Sequence, residues 1–170
     1  MLLDLRPKQS SLLILPHQKQ TQLLVAIAHQ AQSSPLIVID CGRQYDPSVV
    51  ARAAQGRVEI IDRIKTQRAF TCYEVVKLLE RTPVGKGPII ILGFLSTFCD
   101  ENVKFSARKF LLESSLCHFQ RLSLSAGLVV STCTPPASED IYLFERLRSA
   151  ASNILTVEPS SLPASQLRLF

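Results

Sequence analysis

Hydrophobic positions along the chain follow two spacings: short continuous apolar runs, and stretches with helical periodicity. The first apolar run, residues 11–15, is followed by Pro16, and residues 20–32 then place apolar side chains at helical spacing. The side chains that share one face of this predicted helix are Leu23, Leu24, Ile27 and Ala31. The pattern predicts a strand, a turn and a helix.

The same alternation repeats along most of the chain. Further strands are predicted at residues 36–39, 58–61, 89–95 and 128–132, and further helices at residues 48–55, 71–81, 105–123 and 139–150. Residues 89–95 are apolar at nearly every position, which is typical of a central parallel strand buried on both faces. Strands that alternate with helices in this way indicate an α/β fold with a mainly parallel sheet and helices on both faces.

The end of the chain shows a different pattern. Residues 153–157 and 166–169 alternate in polarity and flank a Pro-Ser-Ser-Leu-Pro segment. This arrangement predicts a C-terminal antiparallel hairpin at the edge of the sheet.

The composition is that of one compact domain spanning residues 1–170. Hydrophobic residues make up 46% of the chain and charged residues 19%, which excludes a disordered protein. The apolar runs are far shorter than the roughly 20 residues that cross a bilayer, so no transmembrane helix is expected. The N-terminal residues lack the basic-then-apolar order of a signal peptide, and we therefore expect a cytoplasmic protein without membrane contact.

Cysteine usage and charge narrow the candidate chemistry. The five cysteines are scattered singly without any C-x-x-C spacing, which argues against a disulfide framework and against a metal site. We interpret them as small buried hydrophobic residues. The net charge of +5 and the sequence pI of about 9.1 permit contact with nucleic acid without requiring it.

Five short motifs follow one another in a fixed order between residues 11 and 134. They are Thr21-Gln22-Leu23, Ile39-Asp40 with Tyr45 and Pro47, Arg68-Ala69-Phe70-Thr71, Ser106-Ala107-Arg108, and residues 127–132. In this order they resemble the G-K-T-Q-L, I-D-T-E-G-x-F-x-P, R-A-F-N, S-A-R and G-x-x-V-V-x-T motifs in the ATPase core of RecA and RadA recombinases. The resemblance implies a RecA-like domain of the P-loop NTPase superfamily.

The stretch that corresponds to the P-loop lacks the residues that bind phosphate. A P-loop uses glycines to close backbone N–H groups around phosphates and a lysine to reach them, but residues 15–21 contain no glycine. The degenerate nucleotide-binding positions that the resemblance implies are Lys19, Gln20, Thr21, Gln22 and Asp40. Two interpretations stay open: Lys19 replaces the lysine whose position Gln20 occupies, or the segment is an ordinary turn. Likewise, Asp40 is either a catalytic remnant or a turn residue.

At three further positions the chain lacks the residue that the resembling family uses for hydrolysis or for nucleotide sensing. Gly42 stands where the family has the glutamate that polarises the attacking water, and Gly93 stands where it has the aspartate that holds the Mg²⁺ shell. Thr134 replaces the nucleotide-sensing glutamine. The chain is therefore predicted to be a pseudo-ATPase without catalytic residues, metal or cofactor. ATP and Mg²⁺ enter only under the alternative of a weak or unusual RecA-like ATPase.

Two basic groups are candidate DNA-binding surfaces, one around the third predicted strand and one at the start of the longest helix. They consist of Arg57, Arg63, Lys65 and Arg68, and of Lys104, Arg108 and Lys109. Contacts to phosphates require charge and reach. The alternative is a solvated surface of mixed charge, because Glu59, Asp62, Asp100 and Glu101 lie among these residues.

Three functions are compatible with these features. The favoured one is a recombinase-paralogue-like, non-hydrolysing interaction protein linked to DNA recombination or repair. The alternatives are the weak ATPase and a structural regulator that pairs with an active ATPase. The partners considered are an active recombinase or helicase subunit, single-stranded DNA, and a second copy of the chain in a homodimer. Recombinase-type filaments are not expected, because none of the eight phenylalanines begins an F-x-x-A segment.

Overall fold

The computed structural model describes residues 3, 5–135 and 138–158, and six strands and six α-helices alternate within them. The strands are β1 (Ser10–Ile14), β2 (Leu36–Asp40), β3 (Ile64–Arg68), β4 (Ile89–Leu92), β5 (Leu128–Thr132) and β6 (Asn153–Thr156). The helices are α1 (Gln20–Ser33), α2 (Pro47–Ala53), α3 (Val58–Ile61), α4 (Cys72–Arg81), α5 (Phe105–Ser123) and α6 (Ser138–Ala150).

The six strands form one parallel sheet in the spatial order β3-β2-β4-β5-β1-β6. One face packs against α1, α2 and α3, and the other packs against α4, α5 and α6. Successive residues of a strand point to opposite faces of the sheet. Leu13 and Val38 therefore pack on the face with α1, α2 and α3, whereas Leu12 and Ile39 pack on the face with α4, α5 and α6. The predicted α/β fold with a mainly parallel sheet is confirmed, and β4 is a central strand as its continuous apolar run predicted.

The helix α5 has the bounds that its periodicity predicted. Leu112, Leu116 and Phe119 form an apolar stripe that is buried against the sheet, and Phe105 is half-buried at the start of the helix. Within the described parts of the chain, neither α5 nor any other helix combines the length and the apolar composition that crossing a membrane requires.

The third strand does not lie where it was predicted. Residues 58–61 were expected to form a strand but form α3, and the strand is β3. A four-residue apolar run does not distinguish a buried strand from a helical turn. Here Ile60 is buried while Val58 is 63% exposed, as on a surface helix. β3 is an edge strand whose last four residues are exposed, so its sequence contains no apolar run.

The prediction of a C-terminal antiparallel hairpin is wrong. Its first half contains β6, which pairs in parallel with β1 because α6 returns the chain to the end of the sheet at which the other strands begin. Its second half, residues 166–169, lies outside the described residues. β4 also ends earlier than predicted, at Leu92, because Gly93 adopts a left-handed backbone with φ of +60°.

Candidate functional site

The carboxyl ends of the strands lie at one edge of the sheet, where open parallel sheets bind ligands. β1 and β5 are neighbours in the sheet, but the chain continues from β1 into α1 on one face and from β5 into α6 on the other. A cavity of about 420 Å³ lies between the loop after β1, the loop after β5 and the end of β6. Residues 14–18, 133–134 and 156–158 line the cavity. Among these described lining residues Glu158 is acidic and none is a lysine or an arginine. The cavity therefore offers little to a triphosphate.

In the turn between β1 and α1, backbone N–H groups donate hydrogen bonds to carbonyl oxygens of the same turn. Pro16 has no N–H, and in the 3₁₀ turn His17–Lys19 the N–H of Lys19 donates to Pro16 O at 2.9 Å. The N–H of Gln20 donates to His17 O, and its side-chain amide lies 2.9 Å from Nδ1 of His17. The exposed residues on the first turn of α1 are Thr21 and Gln22. A phosphate cradle needs consecutive N–H groups that converge on one point, whereas this turn directs two of them to carbonyl oxygens.

Asp40 ends β2 with a buried carboxylate that is surrounded by N–H donors. Its Oδ1 accepts from the N–H of Gly42 at 3.3 Å and of Gln44 at 2.9 Å. Its Oδ2 accepts from the N–H of Tyr45 at 3.2 Å and from Nε of Arg68 at 3.1 Å. These contacts close the loop between β2 and α2 and pair the carboxylate with the guanidinium of Arg68, which is the geometry of a residue that stabilises a turn.

The two positions where the resemblance expects catalytic carboxylates, Gly42 and Gly93, lie against each other. A Cβ atom on Gly93 would lie 3.0 Å from Cα of Gly42 and 2.5 Å from Nε2 of Gln44. A Cβ atom on Gly42 would lie 2.9 Å from the same nitrogen. The side chain of Gln44 therefore fills the space that carboxylates at these positions would need. No local sequence pattern marks Gln44 for this role.

The first predicted basic group is only partly available for phosphates. Arg63 donates to the last carbonyls of α1 at 2.8 Å and 3.3 Å, and Arg57 donates to a carbonyl at the end of α2 at 3.3 Å. Arg68 forms an ion pair with Asp40, but its side chain is still 43% exposed. Lys65 is exposed on the edge strand β3. Arg68 and Lys65 thus present positive charge on opposite faces of this edge strand.

The second predicted basic group divides into buried and exposed members. Arg108 is 4% exposed and forms a 2.8 Å ion pair with Asp140, so its guanidinium is turned into the protein rather than presented on the surface. Lys104 is exposed. Nζ of Lys109 lies 5.1 Å and 5.6 Å from the ring centres of Phe105 and Tyr142 on α5 and α6. Lys104 and Lys109 therefore remain as the basic residues of this surface.

The structure also brings together Arg43 and Phe70, which were not predicted as site residues. Cζ of Arg43 lies 5.2 Å from the centre of the Phe70 ring, and Phe70 is 57% exposed. Arg43 has a φ of +54°. It occupies the glycine position of the I-D-T-E-G-x-F-x-P motif, and a large cation in place of that glycine is the signal by which the sequence could have indicated this pair.

Comparison with known proteins identifies the fold. No protein-family model matches the sequence, and no curated protein matches it. Among solved structures, the crystal structure of the RadB recombinase is similar, with a TM-score of 0.62 and 14% sequence identity over 88% of this chain and 74% of that chain. The described chain therefore has the RecA-like fold, as the motif order predicted.

Proposed function

We propose that this chain is a RecA-fold interaction protein, similar to recombinase paralogues, that takes part in DNA recombination or repair without hydrolysing ATP. The observation that carries the proposal is the contact between Gly42 and Gly93, with Gln44 packed against both. Phosphoryl transfer needs a carboxylate for the Mg²⁺ shell and a group that orients the attacking water. Neither glycine has a side chain that could fill these roles, and the carboxylate of Asp40 already accepts hydrogen bonds from four N–H groups. The similarity to a recombinase supports the link to recombination.

Calorimetric titration with MgATP, together with an assay of phosphate release, tests the loss of ATPase activity. We expect no binding heat at micromolar protein and no phosphate release above the buffer rate, because two N–H groups of the turn after β1 are bonded to carbonyls. An intact RecA-fold ATPase is the positive control. Stoichiometric micromolar binding that Lys19→Ala abolishes would contradict the proposal and favour the weak ATPase.

Binding of single-stranded DNA is the second part of the proposal, and Lys104 and Lys109 support it. Neutralising both in Lys104→Gln/Lys109→Gln should lower the affinity and reduce the slope of log K against log salt by about 1.4, at about 0.7 per phosphate contact. Lys8→Gln/Lys86→Gln is the matched control, because both lysines are exposed at the opposite edge of the sheet. An affinity without salt dependence would favour the structural regulator instead.

A protein partner is the third part of the proposal, with an active recombinase or helicase subunit as the expected partner. The large exposed apolar side chains on α5 and α6 support an interface there; they are Phe110 at 73%, Tyr142 at 53% and Ile141 at 44% exposure. Sedimentation velocity of the purified chain with a purified recombinase should show a complex that Phe110→Ser weakens and Leu124→Ser does not. A doubled mass of the chain alone would indicate the homodimer, and no association would contradict this part.

A further inference from the structure

Phe70 presents an aromatic ring to solvent from a well-fixed segment of backbone. It lies between β3 and α4 and is 57% exposed. Its N–H donates to Oε2 of Glu74 at 2.7 Å, while Oγ1 of Thr71 caps α4 by accepting from the N–H of Glu74 at 3.2 Å. An exposed ring on an ordered backbone loses little conformational entropy when a planar group stacks on it.

Arg43 adds a planar cation to this ring. Its guanidinium lies over the ring of Phe70, with 5.2 Å between Cζ and the ring centre. The backbone of Arg43 has a φ of +54°, in the left-handed region that is costly for residues other than glycine. The chain therefore maintains an arginine at a position whose backbone favours glycine, and the side chain is held beside an exposed aromatic ring.

The two side chains border a hollow of about 210 Å³ at the carboxyl ends of β2, β3 and β4. Small residues line the rest of it, and Ser96 contributes an exposed hydroxyl-bearing side chain. Arg68 lies two residues before Phe70 and is 43% exposed, and Lys65 is exposed on the same edge strand. An aromatic ring, a guanidinium beside it and the half-exposed cation Arg68 thus occur together at the carboxyl ends of β2 and β3.

We propose that Arg43 and Phe70 form a base-stacking platform for single-stranded DNA. The inference rests on the DNA-binding part of the proposed function and places a binding surface at the end of β2 and β3. Every base has a π-face that stacks on an aromatic ring or a guanidinium, while Arg68 supplies charge for a neighbouring phosphate. Bases in a duplex are already stacked on their neighbours, so this platform selects single strands.

Fluorescence anisotropy with a labelled oligothymidylate of about 20 nucleotides tests the platform. Phe70→Ala should weaken binding by about 5- to 150-fold without changing the salt slope, because stacking of a base on an aromatic side chain carries no charge. Phe70→Tyr should retain the affinity of the parent chain. Arg43→Gly should weaken binding and lower the salt slope by about 0.7 while leaving the protein folded, because its backbone already has the φ that glycine accepts.

Leu124→Ala is the control, since Leu124 is 67% exposed at the far end of α5 and should not affect binding. Urea unfolding of each variant confirms that it is folded. Parent affinity in both Phe70→Ala and Arg43→Gly, or equal affinity for a duplex of the same length, would overturn the platform and leave the DNA-binding proposal standing. A parent chain that binds no oligothymidylate even at low salt would overturn both.

Discussion

The guanidinium of Arg108 and the carboxylate of Asp140 form a buried ion pair of 2.8 Å between α5 and α6. Arg108 also donates to the carbonyl of Phe98 at 3.2 Å and to that of Val103 at 3.1 Å, both in the segment between β4 and α5. One side chain thus links the segment after β4 to the start of α6. The residue that connects these two segments is inside the protein.

Replacing Arg108 should reduce the stability of the protein strongly. Arg108→Met leaves the carboxylate of Asp140 buried without its partner, which costs about 3–5 kcal/mol of unfolding free energy, measured by urea denaturation at neutral pH. Arg146→Met is the matched control, because it breaks the exposed pair with Glu113 and should cost about 0–1 kcal/mol. If Arg108→Met kept the parent stability but had a smaller salt slope for DNA binding, Arg108 would be shown to contact DNA rather than to stabilise the fold.

Replacing Asp40 should likewise lower the unfolding free energy and should not change nucleotide binding. Asp40→Ala removes the acceptor of the N–H groups of Gly42, Gln44 and Tyr45 and frees the half-exposed Arg68, at a cost of about 2–4 kcal/mol. Asp62→Ala, at an exposed position after α3, should leave the unfolding free energy nearly unchanged. Parent stability in Asp40→Ala, combined with a change in any ATP binding, would restore the catalytic interpretation of Asp40.

Much of the fold could be predicted because strands buried on both faces produce continuous apolar runs. β2, β4 and β5 have this signal, and β4 was correctly expected at the centre of the sheet. β3 has exposed side chains at its last four positions and no apolar run, so the neighbouring apolar residues 58–61 were assigned in its place. The direction of β6 depends on where α6 returns the chain, which an alternating pattern of five residues does not encode.

The sequence predicted the positions of the candidate site that belong to recognisable patterns, but not the contacts between them. Motif order identified the position of Gly42, and the apolar run at residues 89–95 identified that of Gly93, whereas no sequence pattern indicates that the side chain of Gln44 fills the space between them. Arg108 was grouped with Lys104 and Lys109 because they are close in sequence, but its partner is 32 residues away. Pairing at that distance is decided by tertiary packing, so the burial of Arg108 could not be predicted. The loss of hydrolysis stays a prediction.

Alkaline pH should destabilise the protein through Cys99. Burial, with a smaller contribution from the nearby carboxylate of Asp140, raises the pKa of the Cys99 thiol from an ordinary value of 9.0 to about 12. The unfolded chain therefore releases this proton at lower pH than the folded chain does. The stability that the protonated thiol contributes is present below about pH 9 and is lost as pH rises toward 12.

This fall should be smaller in Cys99→Ala than in the parent chain when unfolding is measured under reducing conditions across this range. Cys117→Ala is the control, because it removes an exposed thiol. Burial also raises the pKa of Cys41, Cys72 and Cys133, so part of the fall should persist without Cys99. An identical pH dependence in Cys99→Ala and the parent would contradict the assignment.

A side chain at position 93 should destabilise the protein while Gln44 keeps its place. Gly93→Ala carries the backbone cost of φ +60°, about 1–3 kcal/mol, and adds the overlap of its Cβ with Nε2 of Gln44. Gly56→Ala isolates the backbone cost, because Gly56 has a φ of +69° and its added Cβ would meet no atom within 4 Å.

A double-mutant cycle measured by urea unfolding then tests whether Gln44 closes the site. Gly93→Ala/Gln44→Ala should cost less than the sum of its single changes, and the part of the Gly93→Ala cost that remains should approach the cost of Gly56→Ala. Gly93→Asp should be destabilised for the same reason and should show no phosphate release, since restoring one carboxylate does not reopen the space beside Gly42. Additive costs in the cycle, or ATP hydrolysis by Gly93→Asp, would show that the site between β2 and β4 is open.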